Sequence, residues 1–561
     1  MVSWATARAL VLVTAVKLLL VPAYKSTDFE VHRNWLAITS QLPPSRWYLD
    51  ATSRWTLDYP PLFAWFERGL AFLAPLADPG MLTLQAEPYD TPATVLFMRC
   101  TVIASDALLA LGALWITTSP TDDPPSRAPA RPGVTPRALV LLLVVFSPGL
   151  LMIDHVHFQY NGAALGALLC ALAAVSRGAP AVGAFFFSIL VHFKHVHVYA
   201  APAVAAHLLA HRVGARWSDA TRSRRARLVV AGRCATYLAV AVLVTAVSLG
   251  PFAAQGVLGA VFSRLFPFGR GLSHAYWAPN VWALYNAADK VIAAAARRAF
   301  GAEACPAPLG NLAGGMTGHG GTGAQTHAAL PTVTPAATFA LTLASCLPFI
   351  ARHVAATRGE ATRPSSLARL VARTTTCAFA FGWHVHEKAL LMATTPLAVA
   401  LALDAGDPSV GPAAFARSAG EYLFLSTTAH YAATPLLFEP REWPVKACVV
   451  VLGSVVANGA CRVVVRQKRR ESGRCEEGAG GVYPALSRAR RAYLVAGLPL
   501  LEAYVAVGHV AIFGRGRLEF LPLALTSTYC ALGVCATLGG WLREEMAALS
   551  SASQCVRVGS C

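Results

Sequence analysis

Apolar runs of about 18 to 22 residues recur along the whole chain, separated by short hydrophilic stretches. A bilayer core of about 30 Å takes about 20 helical residues to cross, so this pattern predicts spanning helices in place of soluble domains. The first run, Ala5 to Pro22, has the length of a signal peptide, but Lys17 interrupts its core and no small-residue cleavage site follows. It reads as a retained first span. Further spans are predicted at 94–117, 138–153, 161–176, 180–193, 198–211, 228–250, 334–351, 368–383, 388–405, 413–432, 445–462, 492–512 and 518–541. With the first, that makes about fourteen transmembrane helices in an all-α polytopic bundle, one transmembrane domain over residues 1–561.

Between the first two spans lies a long hydrophilic loop, 23–92, dense in Trp, Tyr and Pro and nearly balanced in charge. It is expected to contain amphipathic helix lying on the membrane face. Thr118 to Pro136 is Pro-rich and reads as a tether. The segment 304–335 contains GGMTGHGGTGAQTH and is predicted to be a disordered insert. Its glycines are spacers and not a phosphate loop, because no strand precedes them and no helix opens after them.

Composition supports a membrane protein: 55% of residues are hydrophobic, 14% are charged, and the mean hydropathy is +0.49. Charge then fixes the orientation. The formal net charge of +18 comes from 47 Lys and Arg against 29 Asp and Glu. These basic residues gather at Arg127 to Arg137, Arg212 to Arg233, Arg352 to Arg373 and Arg462 to Arg491, which includes Arg466, Lys468, Arg469 and Arg470. Alternating sides from a cytoplasmic N-terminus puts all four clusters on the cytoplasmic face, where positive loops are retained. No stacking-aromatic module accompanies them, so nucleic acid is not the partner. The 13 cysteines lie mostly within apolar runs, without the spacing of a zinc or redox site.

The ionisable residues that are costly near lipid collect on the opposite face. STDFEVHRNWL (26–36) holds Asp28 and Glu30, which share a face only if the segment is extended. WTLDYPPLFAWFE (55–67) sets Asp58 before a rigid Pro60-Pro61 pair. The other clusters are DHVHFQYNG (154–162), HFKHVHVY (192–199), RLFPFGRGLSHAYWAPNVWALYN (264–286) and WHVHEKALL (383–391). HVH occurs three times, yet such pairs lack the H-E-x-x-H spacing of a helical metal site. Their alternative use, with Lys and Arg, is to hold a phosphate.

These motifs, in this order and separated by spans, resemble the eukaryotic dolichyl-phosphate-glucose-dependent α-1,3-glucosyltransferases of N-glycan precursor assembly, a branch of the GT-C glycosyltransferases. The similarity runs from Ser26 to Leu391, and the HVHFQYNG, FKH and SHAYWAPN versions are closer to the enzymes that add the second glucose than to those that add the first. The resemblance implies a multi-pass protein of the endoplasmic reticulum membrane with a lumenal active site. Its donor would be dolichyl-phosphate-glucose and its acceptor a dolichyl-diphosphate oligosaccharide, with membrane lipids around it and no cofactor or metal. It also implies inversion: an acceptor hydroxyl attacks the far face of the glucose while a carboxylate takes its proton and cations meet the departing phosphate.

Asp28 matches the family's proposed base, with Asp58 the second candidate. Lys194, Arg264, Arg270, His384, His386 and Lys388 are the candidates for the donor phosphate, and Glu30, His155, His157, Glu387, Tyr276 and Trp277 for substrate contact or for orienting these groups. Trp47, Tyr48, Trp55 and Tyr59 join the last two as aromatics suited to stacking on sugar or to the headgroup belt. The first-glucose enzyme, a polyprenyl-phosphate-mannose enzyme and a transporter with a His/Asp proton relay stay open as rivals at this stage.

Overall fold

The computed structural model describes residues 3–118, 133–213, 223–274, 277–305, 327–356, 363–472 and 486–558. Each predicted span is mainly helical, and no strand occurs among the described residues. Eight helices there are long and apolar enough to cross a membrane: Pro92–Thr117, Pro136–Val156, Arg224–Ala254, Pro335–Ala355, Glu387–Gly406, Pro440–Glu471, Arg488–Phe513 and Leu521–Ser551. Asn161–Ser176 and Pro180–Phe193 are apolar but shorter.

The difference from the fourteen apolar runs has a physical origin in helices such as Pro364–Phe381. It carries Arg369 and Arg373, which pair with Asp404 and Glu545 of neighbouring helices. A helix buried among other helices tolerates such charges when each finds a partner. Lys17 follows the same rule: its ammonium lies 2.5 Å from Asp106 of Pro92–Thr117, and His155 binds the same carboxylate oxygen at 2.9 Å.

Close approach of the helices uses small residues. A Cβ at Gly112 would sit 2.7 Å from the Gly166 carbonyl oxygen, and one at Gly166 would meet the backbone at Leu108 and Leu109 at 2.5 Å. Helices Pro92–Thr117 and Asn161–Ser176 therefore touch backbone to backbone, a packing that lipid-embedded helices use in place of a hydrophobic driving force.

The 23–92 loop builds a second core beside the membrane core. Helix Thr27–Gln41 and helix Pro61–Ala71 bury Phe29, Trp35, Leu36, Trp47 and Phe63, joined by Phe158 and Phe252 from the bundle. Buried Arg33 pins this unit, donating to Glu30 at 2.5 and 3.0 Å and to the Met81 and Thr83 carbonyls at 3.1 and 2.8 Å. Much of the tether and of the Gly-rich insert lies outside the described residues. At the end of the insert the amides of Ala328, Ala329 and Leu330 all donate to Asp289 at 2.8–3.0 Å.

Gly166→Val should lower the melting temperature in detergent by an amount equivalent to about 1–3 kcal/mol, because the helix pair cannot separate without losing contacts along its length. A thermal-shift curve equal to wild type would show that the backbone contact is dispensable.

Candidate active site

The first span ends in a Tyr-Lys-Ser-Thr-Asp sequence, and the serine caps the next helix. Ser26 Oγ accepts from the Asp28 amide at 3.2 Å and donates to the His157 carbonyl oxygen. This tethers the helix start to the His155–Asn161 turn and aims Asp28 across the face of the bundle. Because the segment is helical, Asp28 and Glu30 diverge: Glu30 turns inward to Arg33 and the Tyr89 amide, and Asp28 faces the cluster of motifs.

One oxygen of Asp28 is crowded and the other is not. Oδ2 accepts from Lys388 Nζ at 2.5 Å and from Gln159 Nε2 at 2.5 Å, with His157 Nε2 at 3.4 Å. Oδ1 takes part in none of these contacts, and the side chain is 19% exposed. Burial alone would raise this carboxyl, but Lys388 and then His157 outweigh it and hold Asp28 well below the usual carboxylate range.

Gln159 reaches Asp28 through a strained turn. Phe158, fully buried, has a φ of +83°, a conformation disfavoured for a bulky residue, and it is held there by the rings of Phe29, His32 and Tyr160. Lys194 Nζ then donates to Gln159 Oε1 at 2.8 Å and Asn161 Oδ1 at 2.6 Å, and Asn161 donates to Asp154 at 2.7 Å. Tyr59 adds a hydroxyl to Gln159 at 3.2 Å and a ring 5.2 Å from Lys194. Burial lowers Lys194 to about 8, against the pull of nearby carboxylates.

On the other side of Asp28 stands the WHVHEK turn. His384 has a φ of +51° and bonds the Gly271 carbonyl through Nδ1 at 2.9 Å. This fastens the turn to the 264–274 loop and brings His386 onto His274, ring centres 3.8 Å apart and tilted 34°. Burial lowers both imidazoles well below the usual histidine value, so both are neutral at pH 7. Glu387, 4% exposed, lies 4.0 Å from His274 and has no hydrogen bond on either carboxylate oxygen.

His274, His386 and Glu387 bring one possible ligand atom each within 4.8 Å of one another, so this is where a cation would go among the described residues. Nearly stacked imidazoles, however, point their in-plane lone pairs side by side and not at one point, and a rotation of a ring would be needed to close on an ion.

Asp58 sits close enough to feel the charge of Asp28, with Arg270 at 3.5 Å. Burial raises its carboxyl more than Arg270 lowers it. The structure thus brings Asp28, Asp58, His157, Lys194, Arg270, His384, His386, Glu387 and Lys388 into one neighbourhood.

Other expected site residues have partners elsewhere. Arg264 donates to the Tyr48 carbonyl and Thr56 hydroxyl at 3.3 and 3.0 Å, bracing the loop, and His155 binds Asp106 inside the bundle. Trp277 packs with Ala283 and Ala531, with Lys290 5.3 Å over its ring. Trp47, Tyr48 and Trp55 are buried in the loop core, and Tyr276 lies outside the described residues.

Against this geometry, known proteins can be set. The model of the ALG6, ALG8 glycosyltransferase family matches residues 13–541. The chain belongs to that family. It is 39% identical over 525 residues to the dolichyl pyrophosphate Glc1Man9GlcNAc2 alpha-1,3-glucosyltransferase of Arabidopsis thaliana, covering 93% of this chain and 94% of the relative. The proteins of the same name from Bos taurus and Mus musculus are 37% and 38% identical over 540 and 541 residues, covering 95% of this chain and 94% and 93% of theirs.

For this ALG6, ALG8 family glycosyltransferase, sequence reasoning passed over three members of the cluster: Gln159, Asn161 and His274. Each stood inside a quoted motif, HFQYNG or GLSHAYW, but amides carry no charge signal, and His274 gains its meaning only from His386. Since lysine and arginine already surround Asp28 and the imidazole pair does not converge, chelation by EDTA should leave glycosyl transfer by purified protein unchanged. Loss of rate that an added divalent ion restores would show that the His274–His386–Glu387 group works as a metal site.

Proposed function

We propose that this chain is an inverting α-1,3-glucosyltransferase of the GT-C type. In this reading it transfers glucose from dolichyl-phosphate-glucose to a mono-glucosylated dolichyl-diphosphate oligosaccharide on the lumenal side of the endoplasmic reticulum membrane, for protein N-glycosylation. The observation that carries the chemistry is a carboxylate with one oxygen anchored by Lys388 and Gln159 and the other left open. The acceptor follows from the relatives, whose name specifies Glc1Man9GlcNAc2.

Asp28 Oδ1 takes the proton of the acceptor 3-hydroxyl as that oxygen bonds to the anomeric carbon. The bond from that carbon to the phosphate oxygen breaks on the opposite face, so β becomes α. A phosphate monoester leaves without a proton if its growing charge is met, and Lys388, Arg270 and Lys194 are the cations placed around Asp28 and Asp58 to meet it. His386, neutral, donates a hydrogen bond to it, while the single N–H of neutral His384 is spent on the Gly271 carbonyl and fixes the turn. Asp58 serves as the orienting partner through Arg270.

Purified protein given a dolichyl-phosphate-glucose analogue should glucosylate the mono-glucosylated acceptor and not the unglucosylated one. Asp28→Asn should lose about 10²–10⁴-fold in rate, the usual worth of a positioned base. Transfer only to the unglucosylated acceptor would move the chain to first-glucose chemistry, and an active Asp28→Asn would shift the base to Asp58.

A further inference from the structure

We infer that Lys388 is a shared cation: at rest it is bonded to Asp28, and the donor phosphate draws it away, turning Asp28 from an ion-pair partner into a working base. This rests on the function proposed above and adds how the base is armed.

The starting point is a conflict within the site. A general base works best with a pKa near the operating pH, yet Asp28 is bound by an ammonium and held far below it. The carboxylate oxygen that Lys388 occupies is the one shared with Gln159 and His157, so Lys388 can depart without releasing Asp28 from its anchor. Gln159 is uncharged, and His157 stands at 3.4 Å against 2.5 Å for Lys388. Departure of the ammonium therefore removes the largest of the charges that hold Asp28 down.

The other charged and titratable groups facing Asp28 are Lys194, which is bonded to Gln159 and Asn161, and Asp58, Tyr59, Glu387, His274 and His386. None of these replaces Lys388 as a direct cationic partner of the carboxylate.

Lys388 is also suited to the change. It lies on the single turn Glu387–Leu390, on a long side chain whose ammonium is a rotatable point charge, beside His386 and the 264–274 loop. A donor phosphodiester carries one negative charge, and a second grows on it as the glycosidic bond breaks. The attraction to Lys388 is therefore stronger in the transition state than in the ground state, which is the condition for a contact to accelerate the reaction. The proton balance is closed: the acceptor proton goes to Asp28 Oδ1, the electron pair of the broken bond goes to the phosphate, and the Lys388 ammonium moves from one anion to the other.

The test reads Asp28 directly. The protonated-carboxyl infrared band that is present in wild type and missing in Asp28→Asn is titrated in full-length protein, without ligand and with saturating dolichyl phosphate. The midpoint should rise by about one pH unit or more on adding dolichyl phosphate. In Lys388→Gln it should stand raised by a similar amount without ligand and move little when ligand is added, while Lys388→Arg keeps the low wild-type value. A wild-type midpoint unmoved by dolichyl phosphate, or a Lys388→Gln midpoint equal to wild type, overturns the shared-cation mechanism. Failure of the underlying function is separate: it appears as glucose transfer by Asp28→Asn, or as no transfer by wild type.

Discussion

Asp28 and Lys388 stand 360 positions apart in the chain and 2.5 Å apart in space, and the arrangement of the candidate site depends on that ion pair. A carboxylate and an ammonium this largely buried are each costly alone and tolerable together. Around them the same constraint repeats at lower stakes. Gln159 bridges Asp28 to Lys194, Asn161 bridges Lys194 to Asp154, and Arg270 answers Asp58. Deeper in the bundle, Lys17, Asp106 and His155 form a second charged group that locks the first helix to the helix Pro92–Thr117.

Such a network needs rigid supports, and the chain supplies them as strained turns held by packing. Phe158 and His384 both adopt positive φ, one wedged among aromatic rings and the other bonded to the Gly271 carbonyl. Each presents a functional neighbour, Gln159 or His386, in a direction that an unstrained helix end would not give. Strain of this kind persists only where the surroundings over-determine it, and here they consist of the loop core on one side and the 264–274 loop on the other. The well-packed 23–92 loop is thus the wall against which the candidate site is built.

Much of this was legible before any coordinates. Apolar runs located the helices, and the order of the polar motifs pointed to the family. Eight helices among the described residues are long and apolar against about fourteen apolar runs, and hydropathy cannot tell a helix bathed in lipid from one whose charges are paired inside the bundle, as in Pro364–Phe381 with Arg369 and Arg373. The structure divides the expected site residues for a related reason. Arg264, Glu30 and His155 have the right chemistry, but each is engaged by a closer partner in another direction.

By itself, then, the sequence determined what depends on neighbours along the chain: membrane helices from hydrophobic run length, and family from ordered motifs. Tertiary structure alone decided what depends on separation in space. It paired Lys17 with Asp106, laid His386 on His274, left Glu387 buried without a hydrogen bond, and chose Lys388 for Asp28 among many lysines and arginines. Electrostatic and hydrogen-bonding energies fall off within a few ångströms, and distances of that size between residues hundreds of positions apart are set by the packing of the whole bundle.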